Sequence, residues 1–318
     1  MTVLRPKVAM VLAAGRGERM RPLSSVVPKP ALPLPAAPVV RSAVGLAAAA
    51  GISRVVVNVW HLADRMIEAV EAIDYESLKI VVSREHELMG TSGGLAIAHA
   101  RGLLEREGPV LVINGDGFYA LDPEPLIQHH AASKDEITLG LVPNPDPSRW
   151  SQVLVADDHL VTGIVGPDQP GASVKSLLYP GLMVVARHLI EKLPPTPGNT
   201  PETLWWPAME RRTLGGVVLT GSWREVGTPT DYLDEVQRQL GRKTIIHPTA
   251  QVGSAARLDA SLIGHNAVIG DGAEVSETAV LEGAEVAAGA RVSRSVLAGA
   301  IRIPAGDRLH GAFLANTE

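Results

Sequence analysis

The sequence predicts two structures in tandem: an α/β domain on a mostly parallel, Rossmann-like sheet, then a left-handed parallel β-helix. Three observations point there. From Val8 to about Leu219, short β-branched runs alternate with longer stretches of helical composition, the pattern of strands joined by crossover helices. Two glycines and several arginines follow the first apolar run directly, as a strand-to-helix turn would require. After Arg242 the pattern changes, and aliphatic residues recur every 17 positions.

In chain order, the first strand is expected at residues 8–12, where five apolar residues stop at Ala13-Ala14-Gly15. The clearest later strands are 55–59, 80–82, 110–113 and 137–142, each a compact run rich in Val, Ile or Leu. The intervening helices are expected over 41–50, 62–72, 92–107 and 123–133.

The tail is a set of repeats. Ile246, Ile263, Val280 and Leu297 form one aliphatic column; Val252, Ile269, Val286 and Ile303 form a second; Leu258, Val275, Val292 and Leu309 form a third. Four positions after these aliphatics a small residue recurs, as at Ala250, Ala256, Ala267, Ala273, Ala284 and Ala290. This is a hexapeptide pattern: three short strands make one triangular coil, the aliphatic fills its interior, and only a small side chain fits near the corner. The domains are therefore expected at 1–240 and 244–318, joined through Gly241 and Arg242. A solenoid end exposes unpaired strand edges, so the tail is expected to assemble the protein, as a homo-oligomer or with a paralogue. A chain ending at Gly241 is expected to keep its chemistry.

Composition excludes several classes. The 318 residues are 46% hydrophobic and 20% charged, with a net charge of -5 and no block of like charge. That argues for a folded protein without nucleic-acid or membrane partners. The absence of cysteine removes disulfides, thiolate metal sites and cysteine nucleophiles together. No apolar run reaches the roughly 20 residues of a membrane span, and a cytoplasmic location is expected.

The chemistry-bearing stretch is Leu12-Ala13-Ala14-Gly15-Arg16-Gly17-Glu18-Arg19-Met20-Arg21-Pro22, followed by Pro28-Lys29-Pro30. A glycine turn at a strand end lets backbone N–H groups approach phosphate oxygens, and the arginines and Lys29 supply positive charge. No Gly-Lys-Ser/Thr follows, so it is not a Walker loop, and Met20 stands where a dinucleotide fingerprint needs its third glycine. By itself the stretch reads equally well as a βα loop with solvated charges. His129 and His130 are adjacent, so on a helix they point apart and read as surface residues rather than a metal pair. Trp205 and Trp206 could roof a ligand, with core packing the preferred role.

The whole stretch resembles the opening motif of the nucleotide-sugar pyrophosphorylases, the sugar-1-phosphate nucleotidyltransferase family, including its Arg-x-Arg-Pro-Leu and Pro-Lys-Pro. Further resemblance follows in order. Glu87-Leu88-Met89-Gly90-Thr91-Ser92-Gly93-Gly94 is similar to the base-contacting segment, and Asn114-Gly115-Asp116 to the metal-binding Asp. Tyr179-Pro180-Gly181-Leu182 is similar to the sugar pocket, and Trp223-Arg224-Glu225-Val226-Gly227-Thr228-Pro229 to the second metal motif. The β-helix tail matches the subgroup that includes mannose-1-phosphate guanylyltransferases.

The resemblance implies transfer of a nucleoside monophosphate from a nucleoside triphosphate to a sugar 1-phosphate, with Mg²⁺ held by Asp116 and Glu225. It implies catalytic roles for Arg19 on the β- and γ-phosphates, Lys29 near the α-phosphate, and Asp116. Leu12, Ala13, Ala14, Gly15, Gly17, Glu87 and Gly90 would contact the nucleotide, and Gly181 and Lys175 the sugar. GTP with mannose 1-phosphate is the preferred pair; UTP or dTTP with glucose 1-phosphate, and UTP with muramic-type sugars, stay open.

Two departures stand out. Glu225 replaces the family's Asp, reaching one methylene further. Ile164-Val165-Gly166-Pro167-Asp168 replaces the family's Phe-x-Glu-Lys-Pro; Lys175 is the candidate substitute from the same loop, with a solvated surface lysine the preferred reading. The alternative is thus a catalytically weak paralogue that binds a nucleotide-sugar and scaffolds an active partner. An acyltransferase fits poorly, since only His247, His265 and His310 lie within the repeats.

Overall fold

A computed structural model describes residues 5–75, 78–104, 107–167 and 176–316. The chain forms two compact units: Met1–Gly15, Val40–Ala63 and Val70–Glu225 make the first, and Arg16–Val39, Asp64–Ala69 and Val226–Glu318 the second. The division does not follow the expected boundary near residue 240. The segment carrying Arg19 and Lys29 groups with the β-helix, not with the strands that flank it in sequence.

In chain order the elements up to residue 240 are β1 (Val8–Leu12), α1 (Val40–Ala49), β2 (Arg54–Val59), α2 (Ala63–Glu71), β3 (Lys79–Arg84), α3 (Gly90–Ala100), β4 (Val110–Asn114), β5 (Gly117–Leu121), α4 (Glu124–Ala132), β6 (Ile137–Pro143), β7 (Gln152–Val155), β8 (Val161–Val165), β9 (Leu177–Leu178), β10 (Leu182–Val185), α5 (Arg187–Ile190), α6 (Trp206–Glu210), β11 (Leu214–Val218), β12 (Gly221–Glu225) and α7 (Pro229–Leu240). The main sheet of the first unit runs β3-β2-β1-β4-β10-β6-β9-β7-β8, with β11 also on β6. Its first four strands are parallel. Val8 to Val11, Val55 to Val57 and Val110 to Ile113 are buried without alternation, as expected of parallel strands covered on both faces. β10 then enters antiparallel to both β4 and β6, so the sheet is mixed beyond the parallel half. A separate antiparallel ribbon pairs β5 with β12.

Helix α3 stops at Ala100, seven residues short of expectation, because Gly102 takes φ +66. Its N–H returns to the His99 carbonyl at 2.8 Å and that of Leu103 to Ala98 at 3.0 Å, a Schellman closure.

In the second unit the 17-residue spacing is the strand register itself: Ile246 pairs with Ile263, Ile263 with Val280, and Val280 with Leu297. The tail is a three-sided, left-handed β-helix with sheets of five, four and four strands, the fifth added by Phe313–Asn316. Ile263, Ile269, Val275 and their repeats fill its interior with the recurring alanines. One corner of every coil turns through left-handed backbone at the same phase, at Ala260, Glu277, Arg294 and Gly311, with φ between 44 and 64. Buried Ser261, Thr278 and Ser295 form a ladder along one edge. Each hydroxyl accepts the N–H one coil on, at 3.1–3.3 Å, and donates to a carbonyl two residues earlier, at 2.7–2.8 Å. The first coil leaves Ile245, Ile246 and Val252 exposed.

Helix α7 begins with a capping box, in which Thr228 accepts the Asp231 N–H at 3.2 Å and Asp231 accepts the Thr228 N–H at 2.9 Å. Its apolar face packs Tyr232, Val236 and Leu240 into one cluster with Met20, Leu23 and Leu32 of the Arg16–Val39 segment and Leu262, Leu281 and Val296 of the β-helix.

Candidate active site

The chain leaves the sheet at Leu12, which lies between Asn58 of β2 and Asn114 of β4. The buried Asn58 side chain holds the turn that follows. Its Oδ1 accepts the Ala13 N–H at 2.7 Å, and its Nδ2 donates to Glu85 Oε1 at 2.8 Å. Glu85 Oε2 accepts the Met89 N–H at 3.2 Å, so one polar chain ties the glycine turn to the entry of α3 at Gly90. Burial pushes the Glu85 carboxyl up, against the pull of these hydrogen bonds. Gly198 closes over the same entry, its carbonyl accepting the Ser92 and Gly93 N–H groups at 3.1 and 3.4 Å.

On the other side, the Leu12 carbonyl accepts the Gly115 N–H at 2.8 Å. A Cβ at Gly115 would stand 3.0 Å from that carbonyl and 3.2 Å from the Ala13 Cβ, so the missing side chain lets the two strand ends meet. Asp116 follows, half-buried, at the C-terminal edge of the parallel strands, where open α/β sheets bind ligands. Asn114 donates its N–H to the Gly181 carbonyl at 2.8 Å. The Tyr119 hydroxyl faces the Asn114 and Pro180 carbonyls at 2.9 and 3.0 Å. Burial first, and then the Asp116 charge, push the Tyr119 pKa well up, so the group stays a neutral donor and binds the Asp116 strand end to the Gly181 segment.

Glu225 reaches the same region through the β5–β12 ribbon, where it pairs with Gly117, the residue after Asp116. Its Oε2 accepts the Trp150 indole N–H at 3.0 Å, with Arg149 Nη2 at 3.4 Å. The Arg149 guanidinium lies 4.6 Å from the Trp150 ring centre, and Trp150 meets Trp223 edge-on at 5.8 Å.

A model of the Nucleotidyl transferase family matches residues 8–241. The chain belongs to that family. A second model, the GMPPB C-terminal domain, matches residues 240–317. Among curated relatives, the mannose-1-phosphate guanyltransferase of Schizosaccharomyces pombe is 28% identical over 71% of this chain and 62% of its own length. A probable mannose-1-phosphate guanylyltransferase 1 of Oryza sativa is 28% identical over 77% and 73%. The mannose-1-phosphate guanylyltransferase catalytic subunit beta of Drosophila pseudoobscura is 24% identical over 79% and 71%. The crystal structure of HddC from Yersinia pseudotuberculosis has a TM-score of 0.61 at 21% identity, covering 73% of this chain and 99% of that one. A second structure of HddC is complexed with GMP-PN. These two share the fold.

In this nucleotidyl transferase the first unit brings together the turn from Leu12 to Gly15, Gly90, Asp116, Gly181 and Glu225, linked by the contacts above. Ala13 and Ala14 are buried and Gly15 is exposed. Glu87 is also exposed; the glutamate bonded into the turn is Glu85, two residues earlier, whose only sequence signal was its place beyond β3. In the second unit Gly17 has φ +61, with its carbonyl accepting from the Ser24 hydroxyl at 2.8 Å. Arg19 is exposed on the turn Glu18–Met20, whereas Lys29 is only 5% exposed at the start of the turn Lys29–Ala31. Lys175 and Asp168 lie outside the described residues.

Trp205 is a core residue, edge-on to Tyr179 at 4.9 Å, while Trp206 is exposed. The expectation of a surface His129–His130 pair is corrected: His130 is buried on Thr138, and His129 faces Asp135. Arg149 and Trp150 had no motif to mark them. No helix among the described residues is long and apolar enough to cross a membrane.

Proposed function

We propose that this chain transfers a nucleoside monophosphate from a nucleoside triphosphate to a sugar 1-phosphate, releasing pyrophosphate, with GTP and mannose 1-phosphate as the pair and Mg²⁺ as the ion. The observation that carries the reading is the meeting of strand ends at Leu12 and Gly115, which puts Asp116 beside the turn of a nucleotidyl transferase. The names of the relatives support the substrate pair.

The reaction needs no protein nucleophile. A sugar phosphate oxygen attacks the α-phosphorus, the bond to pyrophosphate breaks, and charge grows on the transferring group, so alignment and electrostatic neutralisation supply the catalysis. Arg19 and Lys29 take the triphosphate oxygens, and the Ala13 to Gly15 backbone, held by Asn58, orients the nucleotide. Gly181 and Lys175 serve the sugar side. Asp116 and Glu225 would hold the ion: a carboxylate in the turn just before β5 and one at the end of β12, where Glu225 pairs with Gly117, suit a hard cation completed by phosphate oxygens and water. When bound, the ion neutralises phosphate charge. The longer Glu225 is steadied for that task by Trp150 and Arg149. The β-helix, with its open first coil, supplies the oligomer contact, to a second copy or to a paralogue.

The test pairs a pyrophosphate-release assay over four triphosphates and several sugar 1-phosphates with calorimetry. Asp116→Asn is expected to lower turnover by several orders of magnitude in a folded protein that still binds nucleotide, and chelation to do the same. Near-wild-type turnover in that variant removes Asp116 from the chemistry. Tight nucleotide-sugar binding without pyrophosphate release in the wild type identifies a binding paralogue instead.

A further inference from the structure

Away from these residues, three side chains from separate segments converge on one point in the first unit. His129 lies in the last turn of α4, Asp135 in the loop before β6, and His159 in the turn between β7 and β8. His129 Nε2 is 3.0 Å from Asp135 Oδ2, and His159 Nε2 is 3.3 Å from Asp135 Oδ1. The three potential ligand atoms lie within 4.8 Å of one another, and the two imidazoles meet edge-on with centroids 4.5 Å apart. We propose that His129, Asp135 and His159 bind a first-row divalent transition-metal ion, of which Zn²⁺ is the type.

The geometry of the group matches that ion. Zinc holds nitrogen and oxygen ligands at about 2.0–2.2 Å in a tetrahedron, whose edges are then roughly 3.3–3.6 Å. The two Asp135–His separations fall at or just under that edge but run to different carboxylate oxygens, Oδ2 for His129 and Oδ1 for His159, so a small rotation of one ring or of the carboxylate completes the set. Imidazole nitrogens select zinc and its neighbours over Mg²⁺, which takes oxygen. Three protein ligands leave a fourth position for water, and the partial exposure of His129 and His159, at 26% and 42%, gives the ion a path in.

The support behind the ligands is also built. The Asp135 side chain is only 4% exposed. The Thr138 hydroxyl donates to Asp135 Oδ2 at 3.3 Å, so the single hydroxyl proton is used there and the 2.9 Å contact with His130 is an Nδ1–H donated to Thr138. This chain of His130, Thr138 and Asp135 fixes the carboxylate, as the outer shell of a metal site does. His159 is held at φ +66, uncommon for a residue with a side chain. Its N–H donates to the Ala156 carbonyl at 3.0 Å, and its carbonyl accepts the Gly216 N–H at 2.9 Å. The ion would fasten the β7–β8 turn to the end of α4 and the start of β6, replacing the two imidazole protons that otherwise face Asp135.

The experiment uses the full chain, stripped with chelator and dialysed, then titrated with ZnCl₂ by calorimetry and with Co²⁺ by visible absorption. One Zn²⁺ per chain is expected, with micromolar or tighter affinity, intense d–d bands of four-coordinate cobalt, and no displacement by excess Mg²⁺. His129→Ala and His159→Ala should each weaken Zn²⁺ binding by at least about tenfold, the scale reached by outer-shell changes alone, with circular dichroism and nucleotide affinity unchanged. Asp116→Asn should bind Zn²⁺ as the wild type does. Absence of a zinc isotherm, wild-type zinc affinity in the two histidine variants, or displacement by Mg²⁺ overturns the proposal and leaves a hydrogen-bonded triad.

Discussion

Asn58 accepts the Ala13 N–H at 2.7 Å and passes its own amide to the buried Glu85 at 2.8 Å. The turn after Leu12 is thereby held by a side chain 45 residues away, from a neighbouring strand. Asn58→Ala leaves both the Ala13 donor and the Glu85 carboxylate without that partner in a dry setting, and is expected to cost about 1–3 kcal/mol of stability. The nucleoside triphosphate KM should rise while kcat changes less. Urea unfolding and calorimetry check both; a variant with wild-type midpoint and affinity would show that the turn does not depend on Asn58.

Gly181 has φ +93, and a Cβ there would stand 2.6–2.7 Å from the Asn114 side chain. Gly181→Ala is expected to destabilise by about 1–3 kcal/mol and to lower kcat, because Asn114 is two residues from Asp116. Gly163→Ala is the control: its new Cβ would meet only Leu154 at 3.4 Å, and its kinetics should match the wild type. Equal effects from the two alanines would count against a specific role for Gly181.

The shared burial of Met20, Leu23 and Leu32 with Leu262, Leu281 and Val296 bears on a chain ending at Gly241, which the sequence alone expects to keep its chemistry. That chain loses the β-helix side of the cluster packed against the segment carrying Arg19 and Lys29. Each buried Leu removed from a core costs about 2–5 kcal/mol, so nucleotide affinity should fall at least as far as in full-length Arg19→Ala, itself expected to lose about 2–4 kcal/mol. A folded truncation with full-length affinity and turnover refutes this.

Burial lowers the His130 pKa from 6.5 to about 4, against the raising effect of Asp135. The unfolded chain therefore binds the extra proton first. The corresponding stability is present above pH 6.5 and is lost as pH falls toward 4, by about 3 kcal/mol in all. His130→Asn keeps a donor for Thr138 but does not titrate, so its unfolding free energy should fall less steeply across this window. Parallel pH profiles for the two proteins would locate the acid sensitivity elsewhere.

The sequence by itself determined the elements whose information lies in spacing. In a parallel solenoid the coil length is the strand register, so columns such as Ile246, Ile263, Val280 and Leu297 display the β-helix in the sequence itself. The apolar runs at β1, β2 and β4 likewise marked the parallel half of the sheet. Spacing says nothing about closure between distant segments, and only the tertiary structure decided those. Glu85 rather than Glu87 meets Asn58, because the bend after β3 turns one inward and leaves the other in water. Arg149 and Trp150 reach Glu225 across about 75 residues, and the Tyr232 hydroxyl donates to the Pro33 carbonyl across 199. His129, Asp135 and His159 converge from a helix, a loop and a hairpin turn. Such pairings follow from how packed layers exclude water around particular side chains, a property of the closed fold that no local period encodes.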